Sequence, residues 1–424
     1  MNLLIKGGRV IDPANNLDGA FDLLIDNGKI AKIAKGIRNG VDQIIDATGK
    51  IVSPGIVDMH VHLRQPGRED KETVATGTAA AARGGVTSVL TMPNTTPAID
   101  DVEVVEDLLG IIKKDAVVNV FICAAITHGR EGKELTDFAK LKKAGAVAIS
   151  DDGVSVEDDS LMQAALKLAK KTGINVVCHS EDKSLSAAGV VNAGFTATRL
   201  GLRGVSKESE YKRVSRDIEL AHKVGITVHI AHVSCKETVE IIREAKNKGI
   251  KVTCETAPHY FSLSDEAVLA YDTNMKINPP LRSKDDIEAI KQGLKDGTID
   301  AIASDHAPHT ENEKEIEFDR AEFGVVGLET ELAVSITELI ETGVCGWPKL
   351  VEKLSLNPAK ILGINKGTLS VGADADIVVI SPEEEWIVRK NELVSKSKNS
   401  PFIGRTLKGR VDCTVCKGKV VYKG

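Results

Sequence analysis

The chain has 424 residues, of which 42% are hydrophobic and 27% charged, a composition typical of a soluble globular protein rather than a disordered one. The formal net charge of -6 and the lack of a long basic run argue against nucleic acid as a partner. No run of about 18 apolar residues predicts a membrane span, and Lys6, Gly7, Gly8 and Arg9 interrupt any signal-peptide pattern, so we expect a cytoplasmic protein.

Both ends of the chain carry the pattern of a β-hairpin. Residues 21–33 alternate in polarity around Asn27-Gly28, a dipeptide that favours positive φ at both central turn positions. Residues 410–422 repeat the pattern around Lys417-Gly418, and residues 375–380 add a strand. Because a two-stranded piece alone is marginally stable, we predict that the two ends form one small composite β-sandwich domain, residues 1–54 plus 365–424.

The middle of the chain, residues 55–364, alternates between apolar runs and helical patterns. We predict eight strands, at 51–58, 86–92, 117–124, 146–150, 174–179, 226–232, 250–256 and 299–305. Residues 160–171 have the apolar face of a helix. Ser234-x-x-Glu237 is predicted to be a capping box that opens a helix, and Ser283-x-x-Asp286 resembles another helix start. Eight β–α units predict an α/β fold of the (β/α)8 TIM-barrel type, with a doubly wound sheet as the alternative.

Polar side chains follow most of these strands. They are His60 and His62 after the first strand, Asn94 after the second, Asp151 and Asp152 after the fourth, His179 after the fifth, His232 after the sixth, and Asp305, His306 and His309 after the eighth. The carboxyl ends of barrel strands meet at one face, where catalytic groups lie, so we expect these side chains to converge. Two residues apart on a strand, His60 and His62 share a face.

Imidazole and carboxylate groups together indicate a metal centre. They are the ligands that zinc and similar divalent ions prefer. A single histidine at a strand end is commonly structural, but this set is large enough to hold a bridged pair of ions.

Other polar residues receive plainer interpretations. His229, three residues before His232, is predicted to face the barrel exterior, and the role of His259 is left open. The acidic stretch 309–320 is either a lid or a solvated loop. An odd number of cysteines, seven, indicates reduced thiols. The spacing of Cys413 and Cys416 suits a metal, yet without a second pair we interpret it as a strand ending at a turn.

The motifs HVHLR, MPN, SDDG, CHSED, AHVS, NPPLR and SDHAPH resemble those of dihydroorotases of the type I branch of the amidohydrolase superfamily. The resemblance covers essentially the whole chain; HxHLR with DHAPH is specific, whereas HxH alone would indicate only the superfamily. It implies a zinc-dependent enzyme that reversibly cyclises N-carbamoyl-L-aspartate to (S)-dihydroorotate in de novo pyrimidine synthesis. The nucleophile it implies is a hydroxide generated at the metal, with one or two Zn²⁺ per chain, two being favoured.

The resemblance also implies a role for each residue. His60 and His62 would bind one zinc ion, and His179 and His232 a second. Asp152 would bridge or ligate where many relatives use a carboxylated lysine; residues 144–153 contain no lysine, as in the type I branch. Asp305 would be a ligand and the catalytic acid/base. The residues expected to bind substrate are His62, Arg64, Asn94, Asn278, His309, Phe323 and Gly324.

The resemblance implies a small-molecule substrate and a homodimer, and it leaves a complex with aspartate transcarbamoylase open. Two alternatives remain. One is another cyclic amidohydrolase, of the hydantoinase or allantoinase type, which usually has a carboxylated lysine and needs no clamp like Arg64. The other is an inactive structural partner of aspartate transcarbamoylase, a class that typically lacks the metal ligands present here.

Overall fold

A parallel barrel occupies the middle of the chain. The computed structural model describes residues 2–38 and 41–424. Eight barrel strands pair in chain order: β1 (Ile56–Val61), β2 (Val86–Thr91), β3 (Asn119–Ala124), β4 (Ala146–Ile149), β5 (Asn175–Cys178), β6 (Val228–Ile230), β7 (Val252–Thr256) and β8 (Ala301–Ile302). The His62 N–H donates to the His306 carbonyl at 2.8 Å, which links the last strand to the first. The barrel is confirmed, and the doubly wound alternative is wrong because strand order never reverses.

Helices follow the barrel strands and cover them. The main ones are Val74–Arg83, Val102–Asp115, Phe138–Ala144, Asp159–Thr172, Glu208–Val224, Lys236–Asn247 and Lys284–Asp296. After β8 the chain continues through Glu331–Ser335, Ile336–Ile340, Trp347–Val351, Glu352–Leu356 and Asn357–Leu362. Shorter helices, Lys183–Ser186, Phe195–Leu200 and Glu311–Lys314, lie in the loops on the carboxyl side of the strands.

One of the two predicted helix starts is wrong in its detail. The Asp286 carboxylate accepts from the Ser283 N–H at 3.0 Å, as a capping arrangement requires. Ser234, by contrast, lies one residue before the cap of helix Lys236–Asn247, and its hydroxyl donates to the buried Glu210 carboxylate. The Ser234 hydroxyl therefore bonds to a buried carboxylate and does not cap the helix, contrary to the prediction from the sequence pattern.

Strands from both ends of the chain form a second sheet around a core of their own. They are Asn2–Asp12, Leu17–Asp26, Lys29–Ala34, Gln43–Asp46, Ile51–Pro54, Ile377–Ile387, Thr406–Cys416 and Lys419–Lys423, hydrogen-bonded into one continuous eight-stranded sheet. Both hairpins are confirmed: Asn27 and Gly28 have φ of 48° and 79°, and Lys417 and Gly418 have 49° and 74°.

The boundary between the two sheets corrects the first predicted strand. Residues 51–58 were expected to form one strand, but Ile51–Pro54 pairs in the terminal sheet and a new strand begins at Ile56. Gly55 separates them, and a Cβ there would lie 2.2 Å from the Thr87 side chain. The domain limits 1–54, 55–364 and 365–424 stay a prediction, and residues 1, 39 and 40 lie outside the described part.

The predicted strand at Cys413 and Cys416 is confirmed. Both lie in Thr406–Cys416, but Cys413 packs in the core of the terminal sheet and Cys416 in the barrel core. Side chains three residues apart leave opposite faces of a strand, so the two sulfurs do not point to a common ion. Within residues 2–38 and 41–424, no helix has both the length and the apolarity to cross a membrane.

Candidate active site

The predicted metal ligands converge at the carboxyl ends of the barrel strands. His60 Nε2 lies 3.2 Å from Asp152 Oδ1 and 3.6 Å from Asp305 Oδ1. His62 Nε2 lies 3.5 Å from Asp305 Oδ1 and 3.6 Å from Asp152 Oδ2. His179 Nδ1 and His232 Nε2 lie 3.6 and 3.7 Å from Asp152 Oδ1. Six residues from five separate strand ends thus surround one small volume.

Two atoms at this centre that could bind a metal are buried and have no hydrogen-bond partner. They are His60 Nε2 and Asp152 Oδ1, and an unpaired buried polar atom is costly. Two triads each place one ligand atom per residue within 4.8 Å of the others: His60, Asp152 and His232, and His60, His62 and Asp305. A divalent cation would pair these atoms, so the residues fit a metal centre.

The electrostatics of the two carboxylates also favour a cation. Burial opposes ionisation of Asp305, but the imidazoles of His60, His62 and His232 outweigh it and lower its pKa to about 2. Asp152 behaves in the same way: its pKa falls well below the usual range against the cost of burial. Both carboxylates are therefore anionic and available as ligands at neutral pH.

The adjacent residues Asp151 and Asp152 have different surroundings. Only Asp152 faces the imidazoles. Asp151 faces the loop after β3, where its Oδ1 accepts from the Ile126 and Thr127 N–H groups at 2.8 and 3.0 Å. The choice of Asp152 over Asp151 as the candidate ligand agrees with this placement.

Each of three ligand imidazoles has a polar partner at its second nitrogen. Glu255 Oε1 lies 2.8 Å from His60 Nδ1, Asn94 Oδ1 lies 2.7 Å from His62 Nδ1, and Glu181 Oε2 lies 3.3 Å from His179 Nε2. Such partners fix the tautomer and the orientation of a ligand ring. Glu255 and Glu181 were not singled out from the sequence, although Glu255 lies near the end of β7 and Glu181 lies two residues after His179.

The predicted position of His229 is wrong. Its ring lies inside the barrel, with Nε2 3.2 Å from Glu255 Oε2 and Nδ1 2.9 Å from Thr253 Oγ1. The prediction continued strand alternation from His232 backwards, but β6 ends at Ile230 and His232 has a φ of 36°. Alternation does not hold across that turn, so both histidines point inward.

His259 lies near the centre without lining it. It is buried, its ring packs 4.2 Å from the Tyr260 ring, and its Nε2 has no partner. Burial lowers its pKa to about 4, against the attraction of the Asp305 charge, so the ring is neutral at physiological pH. It therefore contributes no cation to the site.

A cavity of about 280 Å³ opens beside the candidate metal ligands. All seven residues expected to bind substrate line it: His62, Arg64, Asn94, Asn278, His309, Phe323 and Gly324. Asp152, His179, His232 and Asp305 line it as well. Of the predicted site residues, all but the fully buried His60 thus line one chamber, which has the size of a small cyclic molecule.

One wall of the cavity is cationic. Arg64 Nε donates to the Pro308 carbonyl at 3.1 Å, and its Nη2 lies 3.1 Å from His309 Nε2. Burial lowers the pKa of Arg64 to about 10, which leaves it charged at neutral pH. Arg130, which the sequence motifs did not indicate, lines the cavity from the loop after β3 and donates to the Asp152 carbonyl.

The stretch after His309 is ordered against the body of the protein. It contains the short helix Glu311–Lys314, and Glu313 pairs with Arg68 and Lys71 at 2.7 and 2.9 Å. The Lys314 ammonium is buried among main-chain carbonyls, those of Glu322 and Gly324 at 2.8 and 3.0 Å. Whether the stretch opens and closes as a lid stays a prediction.

Comparison with known proteins agrees with this geometry. Residues 49–238 match the Dihydro-orotase-like family model. Curated proteins named Dihydroorotase are similar over the full length: that of Elusimicrobium minutum is 53% identical over 99% of this chain and 97% of its own, and that of Geotalea daltonii is 52% identical over 100% of both.

Solved structures share the architecture. The L-hydantoinase (dihydropyrimidinase) of Arthrobacter aurescens superposes with a TM-score of 0.90 at 26% identity, over 99% of this chain and 96% of that one. The dihydropyrimidinase of Brevibacillus agri gives 0.85 at 25% identity, over 100% and 95%. With full-length relatives named Dihydroorotase at more than half identity, the chain belongs to the dihydroorotase family and is an enzyme acting on cyclic amides.

Proposed function

We propose that the enzyme carries out the reversible ring closure of N-carbamoyl-L-aspartate to dihydroorotate with zinc held by His60, His62, Asp152, His179, His232 and Asp305. The observation that carries the proposal is the set of buried, unpaired ligand atoms at the floor of a cavity whose wall holds a guanidinium. Zinc bound by these residues would lower the pKa of a water molecule and polarise the ring carbonyl. The donor set is large enough for two ions.

Asp305 is proposed as the acid and base of the reaction. Its carboxylate is anionic and lies on the cavity wall between His60 and His62. In the hydrolytic direction it takes the proton of the attacking water and passes it to the departing ring nitrogen. Ring closure follows the same path backwards, with the proton moving from the ureido nitrogen to Asp305.

Arg64 is proposed to bind the exocyclic carboxylate of the substrate. A guanidinium recognises a carboxylate through paired hydrogen bonds, which fix geometry as well as charge. Asn94, His309, Asn278, Phe323 and Gly324 line the same cavity. A Cβ at Gly324, where φ is 132°, would lie 2.9 Å from the Ala307 carbonyl, so this wall needs glycine.

We place the chain in the type I branch. The support is Asp152, which faces four imidazoles where many relatives use a carboxylated lysine. A hydantoinase remains the second candidate because similar solved structures are those of hydantoinases. Arg64 argues against it, since hydantoin has no carboxylate for a guanidinium to bind.

The first experiment measures metal content per chain and then hydrolysis of dihydroorotate and of hydantoin on the same sample. We expect zinc, turnover of dihydroorotate, and little turnover of hydantoin. Turnover of hydantoin alone would establish the second candidate. Arg64→Ala should keep its zinc while kcat/KM for dihydroorotate falls at least about 100-fold, the loss expected from a charge-assisted pair; a near-normal kcat/KM would remove the carboxylate assignment.

Location and association are part of the proposal. The seven cysteines are free thiols, which supports a reducing cytoplasmic setting. We infer a homodimer, and sedimentation with and without aspartate transcarbamoylase tests both the dimer and a complex between the two enzymes.

A further inference from the structure

Lys71 contacts both His309, which lines the substrate cavity, and Glu313 in the short helix Glu311–Lys314. The residue is buried, with 4% of its surface exposed, and precedes helix Val74–Arg83. Its Nζ lies 3.1 Å from His309 Nδ1 and 2.9 Å from Glu313 Oε1. No motif pointed to this lysine, which lies 238 residues from His309 in the chain.

The contacts at Nδ1 favour one tautomer of His309, because the Lys71 ammonium lies 3.1 Å from this nitrogen and the Glu313 carboxylate oxygen lies further away, at 3.6 Å. An ammonium has three donors and no acceptor. Burial lowers the pKa of Lys71, and the Glu313 carboxylate opposes this. The 2.9 Å contact between Lys71 Nζ and Glu313 Oε1 is that of an ion pair, in which the amine is the ammonium. His309 is itself neutral, since burial and the charges of Arg64 and Lys71 lower its pKa. A neutral ring that accepts at Nδ1 must carry its hydrogen on Nε2.

That hydrogen points to another donor. His309 Nε2 lies 3.1 Å from Arg64 Nη2, and arginine has no acceptor. Two N–H donors side by side do not bond to each other; they need an acceptor between them. Since both residues line the cavity, the acceptor fits there, and a carboxylate oxygen meets both donors at once.

We propose that Lys71 is a positioning residue that holds His309 in its Nε2–H tautomer, so that His309 and Arg64 together bind one carboxylate oxygen of the substrate. The inference rests on the proposed assignment of Arg64 and His309 to the substrate carboxylate. Glu313 acts one step further out by holding Lys71 in its charged form. If His309 could take either tautomer, its Nε2 would carry a hydrogen, and could donate to the substrate, for only part of the time.

The tautomer can be measured directly in the free enzyme. Nitrogen-15 NMR of protein labelled at histidine, with His309 assigned by its His309→Asn variant, distinguishes protonated from unprotonated ring nitrogens. We expect His309 to show an unprotonated Nδ1 and a protonated Nε2. A protonated Nδ1 in the wild type overturns the proposal whatever the variants do.

Kinetics then test the consequence for the substrate. Lys71→Met should raise KM for dihydroorotate roughly tenfold with kcat within a few-fold, as expected when a hydrogen bond to a charged group is weakened. Lys396→Met is the control, because this nearby lysine donates to the Glu69 carbonyl and does not contact His309. Its KM should stay within twofold.

A double-mutant cycle separates positioning from a general structural effect. In a His309→Asn background the amide donates without any tautomer, so Lys71→Met should add little to KM. An equal rise in KM in both backgrounds would contradict the proposal. If instead Arg64→Ala and His309→Asn leave KM unchanged, the substrate assignment itself fails, and the NMR result still decides the tautomer.

Discussion

Glu255 supports the candidate metal centre through its contacts with two histidines. It is buried, and its two oxygens lie against His60 Nδ1 and His229 Nε2 at 2.8 and 3.2 Å. Burial opposes ionisation, but the two imidazoles outweigh it and lower the pKa of Glu255 to about 2. The anion therefore orients His60, and as a partner of a candidate ligand it would strengthen a bond from His60 to a metal.

Replacing Glu255 by Gln should weaken metal binding. The amide keeps the shape but loses the charge, and we expect metal affinity to fall about 10- to 100-fold. Competition with a chelator measures it without reference to activity. Glu210→Gln is the matched control: this buried carboxylate accepts from the Ser234 and Cys235 N–H groups rather than from a candidate metal ligand, so its variant should lose stability but retain metal affinity. Equal metal affinity in the Glu255 variant and the wild type would refute the role.

The neighbouring residues Asp151 and Asp152 should respond oppositely to the same change. Asp152→Asn removes an anionic ligand, so the variant should lose bound metal and turnover while its fold remains. Asp151→Asn leaves the centre intact but weakens the bonds to Ile126, Thr127 and the Thr127 hydroxyl, so it should lower stability by about 1–3 kcal/mol. Metal content and thermal unfolding of both variants distinguish the roles; loss of metal in the Asp151 variant alone would reverse the assignment.

Residue positions were predictable where one strand carried the information. Polar residues at the ends of apolar runs located all six candidate ligands, because parallel strands bring those ends together. Lys71 and Glu255 were not found, since each acts through a contact with a residue more than 190 positions away. His229 was placed on the wrong face because the turn at His232 is a local backbone geometry that periodicity does not encode.

At the scale of elements, the apolar pattern located helices and the capping residues set their ends. The helix expected at 160–171 runs from Asp159 to Thr172, because the Asp158 carboxylate accepts from the Leu161 N–H at 2.7 Å and Gly173 ends it with a φ of 66°. The same kind of serine pattern succeeded at Ser283 and failed at Ser234, where a tertiary contact competed for the hydroxyl.

The Asp158 cap is suited to a test because it is exposed and local. Asp158→Ala should lower the free energy of unfolding by about 1 kcal/mol, since an N–H of the first turn loses its acceptor. Ser160→Ala, two residues into the exposed side of the same helix, should change it by less than about 0.5 kcal/mol. Denaturant titration compares the three proteins, and an equal loss for both variants would mean that the cap contributes nothing of its own.

At the scale of the whole molecule, the terminal sheet has its own core and also contributes side chains to the core of the barrel. Ile11 and Ile51 of the terminal strands pack with Val86 and Val89 of β2 in one apolar cluster. Asp376, 4% exposed, adds a polar link: its Oδ2 accepts from Asn119 of β3 at 2.9 Å and from Lys366 at 2.7 Å. Both links cross from one sheet to the other, so the barrel and the terminal sheet should unfold together.

Calorimetry of Asp376→Ala tests this coupling. The change leaves the buried Lys366 ammonium and the Asn119 amide without their Asp376 partner. We therefore expect the free energy of unfolding to fall by about 3 kcal/mol, within a single unfolding transition. Asp374→Ala removes the other, partly exposed partner of Lys366 and should cost less than about 1 kcal/mol. Two separate transitions in the wild type would mean that the sheets are independent units. A single transition whose midpoint temperature falls strongly only in the Asp376 variant would place the coupling at this buried contact. The contact lies at the opposite end of the barrel strands from the candidate active site.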